Sequence, residues 1–131
     1  MNNLKLKSIH HIAIICSDYE KSKQFYIDVL GFTMVKETYR AERNSYKLDL
    51  ALNANYVIEL FSFPDTPSRP SKPEACGLRL VAFAVDNIEL AIEALAKKNV
   101  VCEPIRIDTL TNKKFTFFSD PDALPLELYE G

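Results

Sequence analysis

Two glutamates stand inside otherwise apolar, strand-like runs, Val57-Ile58-Glu59-Leu60-Phe61 and Pro125-Leu126-Glu127-Leu128-Tyr129. An ionised carboxylate on such a run is expensive to bury unless a cation or several hydrogen bonds meet it, and two facing one another repel. A divalent ion relieves both penalties. His11, at the head of a third apolar run, adds an imidazole. One imidazole with two carboxylates suits Zn²⁺, Mn²⁺, Fe²⁺, Co²⁺ or Ni²⁺ better than Ca²⁺ or Mg²⁺. The metal set read from the residues is therefore His11, Glu59 and Glu127. The competing reading puts both glutamates on solvent faces of half-exposed strands and makes His11 a packed or capping residue.

What separates these readings is a repeat. Ile12-Ala13-Ile14 aligns with Val81-Ala82-Phe83, Glu20 with Glu89 and Phe25-Tyr26 with Ala94-Leu95, all 69 positions apart, and the two glutamates are 68 apart. In each half an apolar run, His10 to Cys16 or Leu78 to Val85, leads through a capping pair, Ser17-Asp18 or Asp86-Asn87, into an amphipathic helix. The first run reads as a strand buried on both faces. Gly31 ends the first helix, and the second covers Ile88 to Lys98.

Strands are predicted over Phe32 to Tyr39, Tyr46 to Leu52 and Tyr56 to Phe63, with Asn53-Ala54-Asn55 as a turn. In the second half they fall near Cys102 to Ile107, Lys113 to Ser119 and Leu124 to Tyr129. Between the halves Pro64 to Pro73 carries four prolines in ten residues and reads as a stiff extended linker. The expected architecture is α+β: one domain over residues 1–131, with βαβββ modules at about 8–63 and 78–131 joined by 64–77. The modules are expected to pair into a curved eight-stranded sheet around a cavity. Alternation along strands sets His11 with Ala13 and Ile15, Glu59 with Val57 and Phe61, and Leu80 with Ala82 and Ala84. His11, Glu59, Leu80 and Glu127 then occupy matching positions, three able to bind a metal and one not. His10 falls on the opposite face from His11 and reads as structural.

Composition narrows the rest. At 131 residues, 47% hydrophobic and 26% charged, the chain is of ordinary globular type. A formal net charge of −2 with scattered Lys and Arg gives no reason to expect nucleic acid as partner. No run approaches the roughly 20 apolar residues of a membrane span, and Met1 to Lys7 lacks a signal peptide's apolar core, so a cytoplasmic protein is expected. Cys16, Cys76 and Cys102 lack close spacing and read as free thiols, Cys16 and Cys102 packed.

These residues resemble the vicinal oxygen chelate superfamily, the glyoxalase and bleomycin-resistance-like proteins. His10-His11-Ile12-Ala13-Ile14, then Ser17 to Tyr26 and Val29-Leu30-Gly31-Phe32, is similar to the superfamily's first strand and helix. Asp120-Pro121-Asp122-Ala123-Leu124-Pro125-Leu126-Glu127-Leu128 is similar to its closing strand, where Gly usually stands at Ala123. The resemblance implies metal ligands at His11, Glu59 and Glu127. It also implies a fourth at Leu80, which close relatives fill with His after the Gly-Leu-Arg matched by Gly77-Leu78-Arg79. Leucine cannot coordinate, so three protein ligands remain at most.

In that family the metal polarises adjacent oxygens of a substrate while a carboxylate shuttles a proton. The function implied is a divalent-metal-dependent lyase or isomerase, of the lactoylglutathione lyase kind, acting on a small oxygenated metabolite, with Glu127 and Glu59 catalytic. The alternative is a metal-free small-molecule binding protein of the bleomycin-resistance or ligand-sensing type. Arg40, Arg43 and Lys47, in the region joining two predicted strands, are candidates to grip a substrate carboxylate or phosphate; a solvated hairpin end is the other reading. Arg79 is read as facing away from the Leu80 side. A homodimer is expected, with no membrane partner.

Overall fold

The computed structural model describes residues 3–131. The chain divides into two compact units, one ending at Pro67 and the next beginning at Ser68, a division inside the predicted linker. In the first unit β1 (Ile12–Cys16) leads to α1 (Tyr19–Gln24), then β2 (Thr33–Arg40), β3 (Ser45–Leu52) and β4 (Asn55–Ser62). The second unit repeats this with β5 (Val81–Val85), α2 (Ile88–Ala96), β6 (Arg106–Ile107), β7 (Lys114–Ser119) and β8 (Pro125–Glu130). Hydrogen bonding sorts the eight strands into two sheets of four, in the orders β1-β4-β3-β2 and β5-β8-β7-β6. The α+β fold of two βαβββ modules is as expected. No helix among the described residues is long and apolar enough to cross a membrane.

Local chemistry explains the elements. The Asp18 carboxylate accepts from the Lys21 N–H at 3.2 Å and caps α1, and the Asn87 side chain accepts from the Leu90 N–H at 3.0 Å to cap α2. After Gln24 the first helix widens into a π turn over Phe25–Val29, which the helical spacing did not foretell. Gly31 then ends it with a left-handed φ of +84°. The β3–β4 hairpin turns on Asn53 and Ala54, with φ of 50° and 70°, the paired positive values that a two-residue loop needs to match strand twist.

Several boundaries differ from the sequence reading. β1 begins at Ile12 rather than His10, and β5 at Val81 rather than Leu78. β1 is not buried on both faces: Ile14 and Cys16 are buried, whereas Ile15 is 56% exposed. Its run is apolar throughout, but only the face carrying Ile14 and Cys16 packs on the core. β6 shrinks to two residues. The cores of both sheets come from the other parity: Leu48, Leu50, Ile58 and Leu60 in the first, Phe118, Leu126 and Leu128 in the second. All three cysteines are free, with Cys16 buried, Cys102 half-buried and Cys76 exposed.

Candidate functional site

Because Ile58 and Leu60 take the core side of β4, Glu59 projects from the opposite face. It is nevertheless only 7% exposed. Its strand neighbours are Ala13 on β1 and Asp49 on β3, and Asp49 is itself only 8% exposed. Two carboxylates placed directly across a strand pair repel. The Lys47 ammonium offsets this, 3.3 Å from Asp49 Oδ1 and 3.6 Å from Glu59 Oε2.

Tyr56 completes the cluster. Its hydroxyl donates to Glu59 Oε2 and lies 3.3 Å from Asp49 Oδ1. Burial, and then the hydrogen bond to Glu59, push the phenol well above the usual tyrosine range, so it remains a donor at any ordinary pH. The same ring stacks on His11, with centroids 5.5 Å apart and planes within 6°. His11 Nε2 sits 3.3 Å from Glu59 Oε2. His10 does not lie on an opposite face: its ring meets Tyr56 edge-on, and its Nδ1 is 2.8 Å from His11 Nδ1. Both histidines precede β1, so strand alternation does not apply to them.

Of the three cations read as a substrate clamp, Lys47 joins the carboxylates. Arg40 and Arg43 stand elsewhere in the unit. The Arg40 guanidinium lies over Phe61 and Phe63, at 5.2 and 5.8 Å, and donates to Ser45 Oγ at 3.1 Å. Arg43 lies over Phe63 at 4.9 Å. Cation–π contact thus holds Arg40 on both rings of the stacked Phe61–Phe63 pair and Arg43 on Phe63 alone.

In the second unit Glu127 takes the place that Glu59 has in the first. Its strand neighbours are Ala82 on β5 and Phe117 on β7. The surroundings differ: Phe117 stands where the first unit has Asp49, and Phe115 where it has Lys47. Among the described residues no hydrogen bond or ion pair reaches the Glu127 carboxylate. Burial, followed by the negative charge of Asp108, pushes its carboxyl above the usual range. Leu80 is half-buried just before β5.

Sequence reasoning missed Asp49 and Tyr56. Asp49 carried the same signal as Glu59, a lone carboxylate in the apolar run Leu48-Asp49-Leu50. Tyr56 carried none, since three positions along an ideal strand put it on the face away from Glu59. A β-bulge reverses that: Leu50 pairs with Ile58 but Ala51 with Tyr56, so Val57 is the extra residue and Tyr56 swings to the Glu59 side.

A metal fits part of this arrangement. Metal bonds of about 2.0–2.1 Å in a tetrahedral site put neighbouring donors roughly 3.4 Å apart, and the His11 nitrogen and Glu59 oxygen stand 3.3 Å apart. Within each unit, among the described residues, no three His, Cys, Asp or Glu side chains lie close enough to hold an ion. The first unit thus supplies two donors and the second an unpartnered carboxylate.

Comparison with known proteins agrees with the architecture. A family model described as the Glyoxalase/Bleomycin resistance protein/Dioxygenase superfamily matches residues 8–128. YwkD, an uncharacterized protein of Bacillus subtilis (strain 168), is 66% identical over 125 residues, which are 95% of this chain and 98% of the relative. The crystal structure of a glyoxalase family protein from Enterococcus faecalis superposes with a TM-score of 0.88 at 49% identity, covering 95% of this chain and 98% of that one. The mitochondrial methylmalonyl-CoA epimerase of Mus musculus is 32% identical over 100 residues, 73% of this chain and 56% of the relative. With one βαβββ module repeated and the match running over nearly its whole length, the chain belongs to the glyoxalase/bleomycin resistance protein/dioxygenase superfamily.

Proposed function

We propose that the protein is a divalent-metal-dependent lyase or isomerase acting on a small oxygenated, anionic metabolite. The observation that carries this reading is the 3.3 Å approach of His11 Nε2 to a buried Glu59 oxygen, with one tyrosine fixing both residues. His11, Glu59 and Glu127 would hold the ion, one of Zn²⁺, Ni²⁺, Mn²⁺, Fe²⁺ or Co²⁺. Bound there, it would supply Lewis acidity toward adjacent oxygens of the substrate. The likeness to a mouse protein named as an epimerase supports isomerase-type chemistry.

The residues divide the remaining work. Tyr56 and Lys47 hold the Glu59 carboxylate in place, so that it serves as a fixed ligand or as a base. Glu127, with no hydrogen-bond or ion-pair partner among the described residues and with its proton affinity raised by burial, is suited to take a proton from a carbon beside a carbonyl and return it. Arg43 and the terminal nitrogens of Arg40, whose Nε is buried, are steadied on Phe61 and Phe63 and would donate to a substrate carboxylate or phosphate, with Lys47 beside the two carboxylates. This reading includes a cytoplasmic homodimer, checked by fractionation and sedimentation.

The test is metal analysis of protein purified without chelator, alongside His11→Ala, Glu59→Gln and Glu127→Ala. One divalent ion per chain, lost in each variant, is the expected result. Folded wild-type protein without stoichiometric metal would overturn it. That outcome would favour a metal-free small-molecule binding protein, the second reading, which draws support from Lys47 already balancing Asp49 and Glu59 and from Leu80 lacking a donor atom.

A further inference from the structure

The segment after Pro67 does more than space two modules. Residues 69–72 and 74–80 wall a cavity of about 360 Å³ within the second unit, a size in the range of small-molecule sites. Its apolar floor is Leu80, Phe117 and Pro125, and its rim carries Arg69, Lys72 and Arg79. Arg79 does not face away from Leu80: both line this cavity, because β5 starts only at Val81 and alternation does not govern them.

The wall is preorganised. Arg69 Nε donates to Ser71 Oγ at 2.7 Å and its Nη2 to the Leu78 carbonyl at 2.9 Å, tying the two ends of the loop through one half-buried guanidinium. Its other N–H groups remain for a ligand. Three cations on the rim face a single acid, Glu74. The Glu74–Arg79 pair is 3.8 Å apart with both side chains about 70% exposed, so it neutralises little. The site is cationic at the edge and apolar at the base.

We propose that this cavity binds a small organic anion, a carboxylate or phosphate with an apolar body: Arg69 and Lys72 take the anionic group, and Leu80, Phe117 and Pro125 seat the body. Leucine at position 80 then has a use of its own, as a floor for which an imidazole would be too polar. Phe117 is the strand partner of Glu127, whose carboxylate is not part of the lining and so does not oppose an anion there. The site stands on the second unit alone and does not depend on the metal reading.

Cys76, exposed and part of the lining, reports occupancy. Its alkylation by iodoacetamide would be followed by peptide mass mapping, in EDTA so that metal plays no part, with phenyl phosphate, benzoate or neutral benzamide present. Phenyl phosphate and benzoate should slow Cys76 modification and benzamide should not. Arg69→Met should weaken phenyl phosphate protection roughly tenfold or more in concentration, the scale of one lost charge-assisted contact. Lys72→Met, which leaves the Arg69 tie intact, should weaken it in the same direction and guards against misfolding of the loop. Equal protection by benzamide, or protection undiminished in Lys72→Met, would overturn the assignment.

Discussion

Tyr56 and Glu59 lie three positions apart on one strand, yet the tyrosine hydroxyl donates to the glutamate carboxylate. The bulge at Val57 makes this possible, and the stacking of the same ring on His11 turns Tyr56 into a clamp on both first-unit ligand candidates. Groups that orient metal ligands commonly contribute about 10–100-fold in affinity.

Tyr56→Phe keeps the ring and removes the hydroxyl. Metal affinity, measured by competition with a chromophoric chelator, should fall about 10–100-fold while the fold is retained. An unchanged affinity would mean that Glu59 needs no help from Tyr56.

Lys47→Met leaves Asp49 and Glu59 facing across the strand pair without their counter-ion. The expected cost is about 1–3 kcal/mol in urea unfolding, smaller than for a fully buried pair because the lysine is partly exposed. Adding Asp49→Asn to this variant should recover much of the loss, since one of the two repelling charges is gone. Equal unfolding midpoints for wild type and Lys47→Met would show that solvent screens the carboxylates.

Ala123 occupies the left-handed region at φ +66°, in the turn that launches β8 and so places Glu127. Asp120 organises that turn, its Oδ1 accepting from the Asp122 and Leu124 N–H groups, each at 2.9 Å. Ala123→Gly should therefore stabilise by about 1 kcal/mol, because the Cβ strain disappears. Asp120→Ala should destabilise by about 1–3 kcal/mol by leaving buried donors unmet. Thermal unfolding of the two variants decides both.

On the helix side of the first sheet, Glu37 accepts from Lys23 Nζ at 2.8 Å and from the Tyr19 hydroxyl at 2.5 Å. Lys23 foremost, then Tyr19, holds its carboxyl below the ordinary 4.5. In the window between those values the unfolded chain binds more protons than the folded one. The stabilisation is therefore full above pH 4.5 and is lost as pH falls through the lowered folded value. Glu37→Gln should cost about 1 kcal/mol at neutral pH, and the difference should close as the medium is acidified below that window. A gap independent of pH would place the effect in packing rather than charge.

The sequence by itself determined the repeat. Ile12-Ala13-Ile14 recurs as Val81-Ala82-Phe83 and Glu59 recurs as Glu127 at nearly the same offset, and the capping residues Asp18 and Asn87 mark where each helix must begin. Those are local rules, and local rules are written in local order. Only the tertiary structure decided which side chains meet across strands. The register of β3 on β4 sets Asp49 and Lys47 around Glu59, while the matching register of β7 on β8 sets two phenylalanines around Glu127. One bulged residue reverses the side on which Tyr56 falls, and the late starts of β1 and β5 free His10 and Arg79 from alternation. Register and bulges follow from how whole strands fit their neighbours, a balance of packing and hydrogen bonding over the entire sheet that no single run of residues contains.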